Sequence, residues 1–470
     1  MIKQAISSLG TNTMALKVVN TLTRKKEAFK PISGKNVSMY VCGPTVYGPG
    51  HLGHARTYSN FDTIRRYLEF SGYKLKFVMN ITDVHDDMIV QAEKDKTTMK
   101  ALGDRYSREF FNELNELNIK PASKYPAVSN HIKEIVAMIK KLEEKGYAYS
   151  SDDGVYFRVS KFKLYGKLSK IQISKEKTGT RVRTDKYDKE TVQDFALWKK
   201  DSIANFWESP WGKGRPGWHI ECSAMSTKYL GDSFDIHGGA KDLIFPHHEN
   251  EIAQSEGATE KKPFVKYWLH AGLITVDGQK MSKSLGNFTT IPDVMKNYNA
   301  NTLRYFFSQS HYQSPLDYNT KTLQDSKIAV DRLQDFMLRA KESKGKKNSK
   351  FESEIKKIKQ NFINAMDNNF NTPRAWAEIY KLVSLSNKSM EENVDIKSAV
   401  KLFLELTDIF GMNFSAKAEK IDNQILKLIK ERETARKNKD FKTADGIREK
   451  LKHKGIMLED SPTGVRWRKL

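Results

Sequence analysis

A short buried strand and a turn-rich loop meet in VSMYVCGPTVYGPGHLGH, residues 37–54. The first six residues are mostly apolar and predict the strand, while the prolines and glycines after Cys42 predict turns. The pattern is helical over Ala55–Phe70, and KLKFVMNI, Lys74–Ile81, alternates as a second strand. A strand, a glycine-rich loop, a helix and a strand in this order predict a parallel sheet with a site at the carboxyl ends of its strands.

The rest of the chain predicts an insertion within this sheet and a helical region after it. A hairpin-like segment, SSDDGVYFRVS, lies in a basic region that extends to residue 205 and also carries an amphipathic stripe. The stripe consists of Ile132, Ile135, Ile139 and Leu142. The sheet pattern resumes in FDIHGG, Phe234–Gly239, and in KYWLHAGLITV, Lys266–Val276. From residue 320 onward the pattern predicts almost only helix, with apolar stripes such as Leu333, Phe336 and Met337.

Composition indicates a globular chain with an anionic partner. At 470 residues with 39% hydrophobic residues, the chain can bury ordinary cores but is too long for a single one. Lys and Arg outnumber Asp and Glu by 80 to 57, which favours a nucleic acid as the partner, although such charge also serves solubility. No apolar run reaches the length of a membrane helix or of a signal peptide. The sequence therefore predicts a cytoplasmic protein.

The chain has two cysteines, Cys42 and Cys222, which lie 180 residues apart. A disulfide framework is not expected in a chain without a secretory signal. Packing, catalysis and metal binding all remain open for the two thiols at this point.

The segment FPHHENE, residues 245–251, has two interpretations. Proline and acidic residues favour the first turn of a helix, and this explains Pro246 and Glu249 without any ligand. In a helix that begins there, His247 and Glu251 stand four residues apart on one face, while His248 points about 100° away. Such a pair suits zinc, but two ligands do not make a site, so the rest of the chain must supply the others.

Two further segments carry side chains that suit phosphate chemistry. In HLGH, His51 and His54 flank Gly53, at the point where the loop should enter a helix whose start favours phosphate. In KMSKS, Lys280 and Lys283 stand between small hydroxyl residues and could close on a bound triphosphate. Either segment alone could also be an ordinary surface loop.

Taken together, HLGH and KMSKS resemble the HIGH and KMSKS motifs of class I aminoacyl-tRNA synthetases. Four longer segments resemble the cysteinyl-tRNA synthetase family specifically: YVCGPTVY, GWHIECSAM, HGGAKDLIFPHHENEIAQSE and GIMLEDSPTGVRWR. The similarity extends from residue 18 to the end of the chain. It implies a Rossmann-type catalytic domain that joins cysteine to tRNA(Cys) at the expense of ATP.

The resemblance implies one zinc ion per chain. The family's zinc ligands correspond to Cys42, Cys222, His247 and Glu251, and each position holds the expected residue type. We interpret His248 as a residue that either supports the ligands from outside the site or packs within the helix. Zinc would separate cysteine from serine, because a serine hydroxyl cannot match the bond between zinc and a thiolate near neutral pH. No editing domain is expected.

The resemblance also implies roles in the activation of cysteine. His51 and His54, with Gly53 between them, would contact the α-phosphate of ATP. Lys280 and Lys283 would hold the departing pyrophosphate with Mg²⁺. The resemblance further implies that Gly43, Thr82 and Trp218 shape the cysteine pocket and that Asp242 lies near the ribose.

The same resemblance suggests a division of the chain and a monomeric state. The predicted segments are an N-terminal tail at 1–17, the two halves of the catalytic domain at 18–110 and 206–275, a connective insertion at 111–205, a KMSKS-bearing stem-contact segment at 276–320, a helical bundle for the anticodon stem at 321–415, and a basic anticodon-binding region at 416–470. The fold class is therefore α/β with an all-α C-terminal region.

Departures from the family pattern are few. Leucine replaces isoleucine in HLGH, GPG at 48–50 is unusual before this motif, and His85 and Asp87 stand where the family more often has Asp and Lys. Two alternatives remain. One is a cysteine ligase with a small amino-sugar acceptor, which would lack the long region after residue 320, and the other is a non-catalytic RNA-binding paralogue, which would have lost motif residues.

Overall fold

The computed structural model describes residues 15–171, 194–201, 206–281, 286–414, 423–454, 456–461 and 464–469. Its described residues up to 414 form one compact unit, and residues 423–469 belong to a second. The finer division of the chain given above stays a prediction. Among the described residues, no helix combines the length and the apolar character that crossing a membrane requires.

The strands are β1 (Lys17–Asn20), β2 (Lys25–Ala28), β3 (Asn36–Val41), β4 (Lys74–Met79), β5 (Ala148–Ser150), β6 (Gly154–Phe157), β7 (Phe195–Lys200), β8 (Gly214–Pro216), β9 (Phe234–Ala240), β10 (Val265–Ala271), β11 (Ile274–Val276), β12 (Gln279–Lys280), β13 (Leu316–Tyr318), β14 (Ile456–Ser461) and β15 (Gly464–Lys469). The helices are α1 (Leu52–Phe70), α2 (Asp86–Lys94), α3 (Met99–Glu116), α4 (Ile132–Glu144), α5 (Trp218–Leu230), α6 (His247–Thr259), α7 (Ile291–Met295), α8 (Ala300–Ser308), α9 (Thr320–Glu342), α10 (Ser349–Asp367), α11 (Thr372–Glu391), α12 (Lys397–Ile409), α13 (Asn423–Lys437) and α14 (Phe441–His453).

The predicted parallel sheet is present, with the strand order β10-β9-β3-β4. Its central strand β3 is apolar on both faces, as expected for a strand covered by helices on each side. The following helix begins at Leu52, three residues before the predicted start, because His51 caps it by accepting the backbone N–H of His54 at 3.3 Å. The loop between β3 and α1 therefore lies at the carboxyl edge of the sheet, where the site was expected.

The strands β5, β6 and β7 of the predicted insertion form an antiparallel sheet with β8, in the order β5-β6-β7-β8, and β8 lies beyond the predicted bound at residue 205. The hairpin-like segment is the β5–β6 hairpin, and the predicted apolar stripe is the buried face of α4. One prediction needs correction, since KYWLHAGLITV is not one strand of the main sheet. The chain leaves that sheet after Ala271, and β11 joins β12 and β13 in a separate sheet. Gly272 permits the departure, because a Cβ there would lie 2.1 Å from the carbonyl oxygen of Ser314.

The helical region after residue 320 is present, but the chain does not end as helix. The stripe of Leu333, Phe336 and Met337 is buried in α9. The predicted helical C-terminal region is confirmed, but it is not all-α, because the second unit packs the helices α13 and α14 with an antiparallel hairpin, β14–β15. Ile456 and Leu458 alternate toward one buried face, a period of two that the basic character of this region obscured.

A buried charge cluster fastens α1 to α8 and α12 within the first unit. Asp62 of α1 is 2% exposed and pairs with Arg66, at 2.8 Å, and with Arg304 of α8. Arg66 also pairs with Asp408 of α12, whose side chain is 58% exposed. Burial opposes ionisation of Asp62, but Arg304 and Arg66 together lower the pKa of its carboxyl. The cluster holds the helix that begins with HLGH against the helical bundle.

The substitution Asp62→Asn should therefore destabilise the first unit strongly. Removing the shared acid leaves the buried guanidinium of Arg304 without a negative partner, and the loss of one partner from a buried pair typically costs about 3 to 5 kcal/mol. Urea unfolding monitored by circular dichroism would measure the change. Asp408→Asn is the matched control, because the Asp408 side chain is 58% exposed and an ion pair open to solvent contributes about 1 kcal/mol or less. Equal losses in the two variants would contradict this assignment.

Candidate functional site

A cavity of about 430 Å³ opens at the carboxyl ends of the parallel strands. Its wall is built by residues that directly follow three of the strands, by the HLGH loop and by the start of α5. These lining residues include Cys42, Gly43, His51, Gly53, His54, Trp218, Ala240, Asp242, Gly272, Leu273, Ile274, Met281 and Phe288. Parallel strands bring residues that are far apart in sequence to one edge, which is why the cavity lies there.

Four buried side chains with metal-ligand chemistry converge behind this cavity, and we call them the donor tetrad: Cys42, Cys222, His247 and Glu251. Cys42 follows β3, Cys222 lies in α5, and the other two stand one turn apart in the first turns of α6. Their ligand atoms all lie within 4.8 Å of one another, and each side chain is at most 7% exposed. Cys42 is the tetrad member that also lines the cavity. The sequence thus folds its two cysteines and one face of FPHHENE into a single cluster.

The distances within the donor tetrad fit a tetrahedral zinc site. The two Sγ atoms lie 3.9 Å apart, too far for a disulfide, whereas zinc–sulfur bonds of about 2.3 Å in a tetrahedron separate two sulfurs by about 3.8 Å. The Nε2 atom of His247 lies 3.1 Å from Oε1 of Glu251, and that oxygen lies 3.8 Å from Sγ of Cys42. A thiolate-rich set with nitrogen and one carboxylate oxygen has the chemistry that zinc prefers.

Neighbouring histidines orient the two tetrad residues of α6. His237 of β9 donates from Nε2 to Oε2 of Glu251 at 2.9 Å, which leaves Oε1 for the cluster. Nδ1 of His219 lies 2.9 Å from Nδ1 of His247, which leaves Nε2 for the cluster. Such outer partners fix the orientation of metal ligands. The sequence predicts no role for His219 or His237, although both lie in segments that resemble the family, GWHIECSAM and HGGAKDLIFPHHENEIAQSE.

Charge within the donor tetrad favours an ionised sulfur. A hydrogen bond from Cys42 and the neighbouring His247 lower the pKa of Cys222 to about 6 against the effect of burial. Burial, the bond to Cys222 and the charge of Glu251 raise the pKa of Cys42. Burial opposes the charge on His247, but Glu251 and Cys222 raise its pKa to about 10. The cluster therefore offers an ionised sulfur and a carboxylate, whereas His247 would have to lose a proton on binding a metal, since only a neutral imidazole nitrogen is a ligand.

A second set of donors overlaps the tetrad. Cys42, His237, His248 and Glu251 also bring their ligand atoms within 4.8 Å of one another. Nε2 of His248 lies 3.3 Å from Sγ of Cys42, while its Nδ1 lies 2.8 Å from Nε2 of His270. His248 therefore lies against the cluster, and its Nδ1 atom contacts His270 of β10. His270 is a further neighbour that the sequence interpretation missed.

The two histidines of HLGH form a ring stack at the cavity wall. The centroids of His51 and His54 lie 3.7 Å apart with an interplanar angle of 22°. Gly53 is required for this stack, since a Cβ there would lie 2.8 Å from Cε1 of His51. Burial and the neighbouring His51 lower the pKa of His54 well below its usual range, so this ring is a neutral imidazole with one N–H to donate. The α1 N-terminus and the imidazoles together face a space that suits a phosphate.

Of the three residues predicted for the cysteine pocket, two line the cavity and one lies behind its wall. Gly43 lets two strand ends approach, because a Cβ there would lie 1.7 Å from the carbonyl oxygen of Asn80. Thr82 is buried behind it and accepts from the side-chain amide of Asn80 at 3.0 Å, so it supports the wall and is not one of the lining residues described above. Trp218 lines the cavity and packs against His247 with ring centroids 4.3 Å apart.

The remaining predicted site residues lie on the far wall or beyond the described residues. Asp242 follows β9, is exposed and lines the cavity. The backbone of Lys280 forms the end of β12, and Met281 reaches the cavity. The prediction for Lys283 lies outside the described residues. Segment 289–291, just after KMSKS, pairs with the start of HLGH through a hydrogen bond from Leu52 N–H to the carbonyl of Thr289.

Glu249 has a structural role that helix capping alone did not predict. Its carboxylate accepts backbone N–H groups from Gly166, Leu168 and Ser169 at 2.7–3.0 Å. It therefore fastens a loop of the insertion to the helix that carries half of the donor tetrad.

Comparison with known proteins identifies three matched regions. Residues 28–328 match the family model for the class I (C) tRNA synthetase catalytic domain, residues 361–415 match the DALR domain, and residues 419–468 match the cysteinyl-tRNA ligase anticodon-binding domain. A curated relative, the cysteine–tRNA ligase of Thermococcus gammatolerans, is 45% identical over 97% of this chain and 100% of its own length. The cysteine–tRNA ligase of Lactiplantibacillus plantarum is 47% identical with the same coverage.

Solved structures agree on the fold. Mycobacterium tuberculosis methionyl-tRNA synthetase in complex with methionyl-adenylate is 14% identical, with a TM-score of 0.61 over 80% of this chain and 89% of its own. A leucyl-tRNA synthetase from Agrobacterium radiobacter, in complex with tRNA, is 12% identical, with a TM-score of 0.60 over 82% and 85%. The parallel-sheet architecture is thus that of these synthetases.

Proposed function

The chain belongs to the cysteine–tRNA ligases, a class I aminoacyl-tRNA synthetase family, and charges tRNA with cysteine; on this premise we propose that zinc in the donor tetrad selects the substrate. The observation that carries the proposal is the position of the tetrad. Its four buried donor atoms lie within 4.8 Å of one another, and Cys42 connects them to the cavity that holds HLGH. A substrate thiol at this end of the cavity would meet the metal.

A bound zinc supplies a Lewis acid that ionises a thiol and binds the thiolate strongly, which a serine hydroxyl cannot match near pH 7. An apolar pocket alone separates two such similar side chains by only about 1 to 3 kcal/mol. Glu251 suits this use, because an oxygen ligand exchanges more readily than a third thiolate and leaves room for the substrate. Selection then requires no second, hydrolytic site.

The other end of the cavity would activate the carboxylate of cysteine. A carboxylate oxygen attacks the α-phosphorus of ATP, a new O–P bond forms, and the bond from the α-phosphorus to the oxygen of the leaving pyrophosphate breaks. His51 and His54 would donate to the α-phosphate as its charge develops. Lys280 and Lys283, with Mg²⁺, would hold the pyrophosphate, and Asp242 would contact the ribose. Gly43, Thr82 and Trp218 would shape the pocket around the substrate.

The activated cysteine would then pass to the 3′-terminal adenosine of tRNA(Cys). The match of residues 419–468 to an anticodon-binding domain supports tRNA as the acceptor and disfavours the small amino-sugar acceptor. The filled motif positions disfavour the non-catalytic paralogue. The net charge of +23 suits a polyanionic partner. We propose a monomer that acts in the cytoplasm.

The test combines metal analysis with two assays. We expect about one zinc per chain, cysteine-dependent exchange of pyrophosphate into ATP, and cysteine charging of tRNA. Removal of zinc with a chelator should abolish exchange, and Zn²⁺ but not Mg²⁺ should restore it. Charging that persists without zinc would contradict the proposed role of the tetrad, while exchange without charging of any tRNA would point to a different acceptor.

A further inference from the structure

The backbone of Gly50, the residue directly before HLGH, is held from two sides. Its N–H donates to Oε1 of Glu113 in α3 at 3.0 Å. Its carbonyl accepts from the N–H of Ile291 at 2.8 Å, in the segment that follows KMSKS. Gly50 therefore lies where helix α3 and the segment after the second motif meet the first motif.

Glu113 approaches Gly50 so closely that any residue other than glycine at position 50 would displace the Glu113 carboxylate. A Cβ at position 50 would lie 2.2 Å from Oε2 of Glu113 and 2.9 Å from Cδ1 of Ile291. Glu113 is 4% exposed, and its Oε2 has no hydrogen-bond partner among the described residues. By contrast, a Cβ at Gly48, in the same GPG, would meet nothing within 4 Å. The unusual glycine at position 50 is explained by the carboxylate of Glu113.

The carboxylate cannot move aside at little cost. Rotation away from a Cβ would break the bond to Gly50 N–H and leave both the donor and the carboxylate buried without partners. Burial raises the pKa of Glu113 to about 7, while the Gly50 N–H opposes this shift. The backbone of Gly50 and the side chain of Glu113 therefore hold each other in place.

Helix α3 touches the motif at a second point, through aromatic rings. Phe110, one turn before Glu113, packs edge-on against Tyr58 with centroids 5.4 Å apart. Tyr58 stacks on His54 at 5.9 Å, and His54 stacks on His51 at 3.7 Å. One face of α3 thus supports the loop before the motif and the ring stack within it.

We propose that Glu113 is a positioning residue for the HLGH histidines, acting through the backbone of Gly50. It sets where His51 and His54 lie relative to the phosphate, without touching the substrate. A displacement of about 1 Å in such a group can lower the rate of the chemical step by about 100-fold. This inference rests on the proposed function of HLGH and adds a residue that neither motif contains.

The first test is Gly50→Ala with Gly48→Ala as its matched control. The new Cβ should displace the carboxylate and lower kcat of cysteine-dependent pyrophosphate exchange by about 10- to 100-fold. The KM for cysteine and the zinc content should not change, because the donor tetrad lies at the other end of the cavity. Gly48→Ala should match the parent chain. Equal activity of the two alanine variants would overturn the proposal.

The second test is rescue. The substitution Glu113→Asp retracts the carboxylate by one methylene and makes room for the new Cβ. The double variant Gly50→Ala with Glu113→Asp should therefore have a kcat at least tenfold higher than that of Gly50→Ala alone. A double-mutant cycle should show that the two substitutions are coupled. Glu116→Asp, on the exposed side of α3, is the control and should not rescue. Losses that simply multiply in the double variant would overturn the proposal.

The third test uses two substitutions of Glu113 and does not depend on whether Gly50→Ala folds. Glu113→Gln keeps an acceptor for Gly50 N–H and should retain most of kcat, whereas Glu113→Ala should lose about tenfold or more with the KM for cysteine unchanged. Equal kcat values for these two variants would refute the role of Glu113. Absence of cysteine-dependent exchange in the parent chain would instead refute the proposed function.

Discussion

The substitution Cys222→Ser is expected to remove zinc from the protein and to lower cysteine-dependent pyrophosphate exchange by more than about 100-fold. Loss of an outer partner of a metal ligand already costs about 10- to 100-fold in metal affinity, so loss of a ligand should exceed that range. A serine hydroxyl remains protonated near pH 7 and cannot replace the thiolate. Zinc content by atomic absorption and steady-state exchange at saturating ATP measure the two effects.

The same variant should also discriminate poorly between amino acids. Without the metal, the pocket separates cysteine from serine by about 1 to 3 kcal/mol, or about 10- to 200-fold. The ratio of kcat/KM for cysteine over serine should therefore fall to that range. Ser226→Ala is the matched control, since this buried serine lies one turn along α5 and, among the described residues, its hydroxyl donates only to the backbone carbonyl of Ser223. Full zinc content and unchanged discrimination in Cys222→Ser would contradict the proposed ligand set.

The β3–loop–α1 unit was predictable, because its apolar run, its turn residues and its helical period are all local in sequence. The two cysteines were not predictable as a pair from spacing, since they lie 180 residues apart. Pairing of β3 with β9 and packing of α5 against α6 bring them together, and only the resemblance to a family indicated this.

The neighbours of the donor tetrad were harder to predict than the tetrad itself. His219, His237 and His270 belong to different elements, and each histidine alone has no pattern that distinguishes a ligand's partner from a core residue. The sequence around Glu113 gives even less indication of a role, because an acidic residue near the end of a helix is common. The one available indication was the glycine at position 50, whose meaning depends on a contact across 63 residues.

The two corrections have different causes. In KYWLHAGLITV the alternation continues across Gly272, and in the C-terminal unit the basic residues hide an alternation of Ile456 and Leu458. Period indicates which face of a strand is buried, but it does not indicate which sheet the strand joins. That choice depends on tertiary contacts, here the close approach of Gly272 to the carbonyl of Ser314.

The substitution His54→Ala is expected to lower kcat of exchange by about 100-fold while the KM for cysteine and the zinc content stay unchanged. Removal of one preorganised donor to a developing negative charge typically costs about 10²- to 10³-fold in kcat. His54 is suited to this role, because its low pKa keeps the ring neutral and its stack on His51 fixes the ring plane. Steady-state exchange with varied cysteine separates kcat from KM.

His54→Asn is the conservative variant that isolates the donor. An amide also donates a hydrogen bond, so it should recover part of the lost kcat, which a purely structural role of the ring stack would not allow. Glu69→Gln, at the other end of α1, controls for changes in the helix and should match the parent chain. If His54→Ala raised the KM for cysteine and left kcat unchanged, the histidine would belong to the cysteine pocket, because an interaction lost equally from the ground state and the transition state changes KM alone.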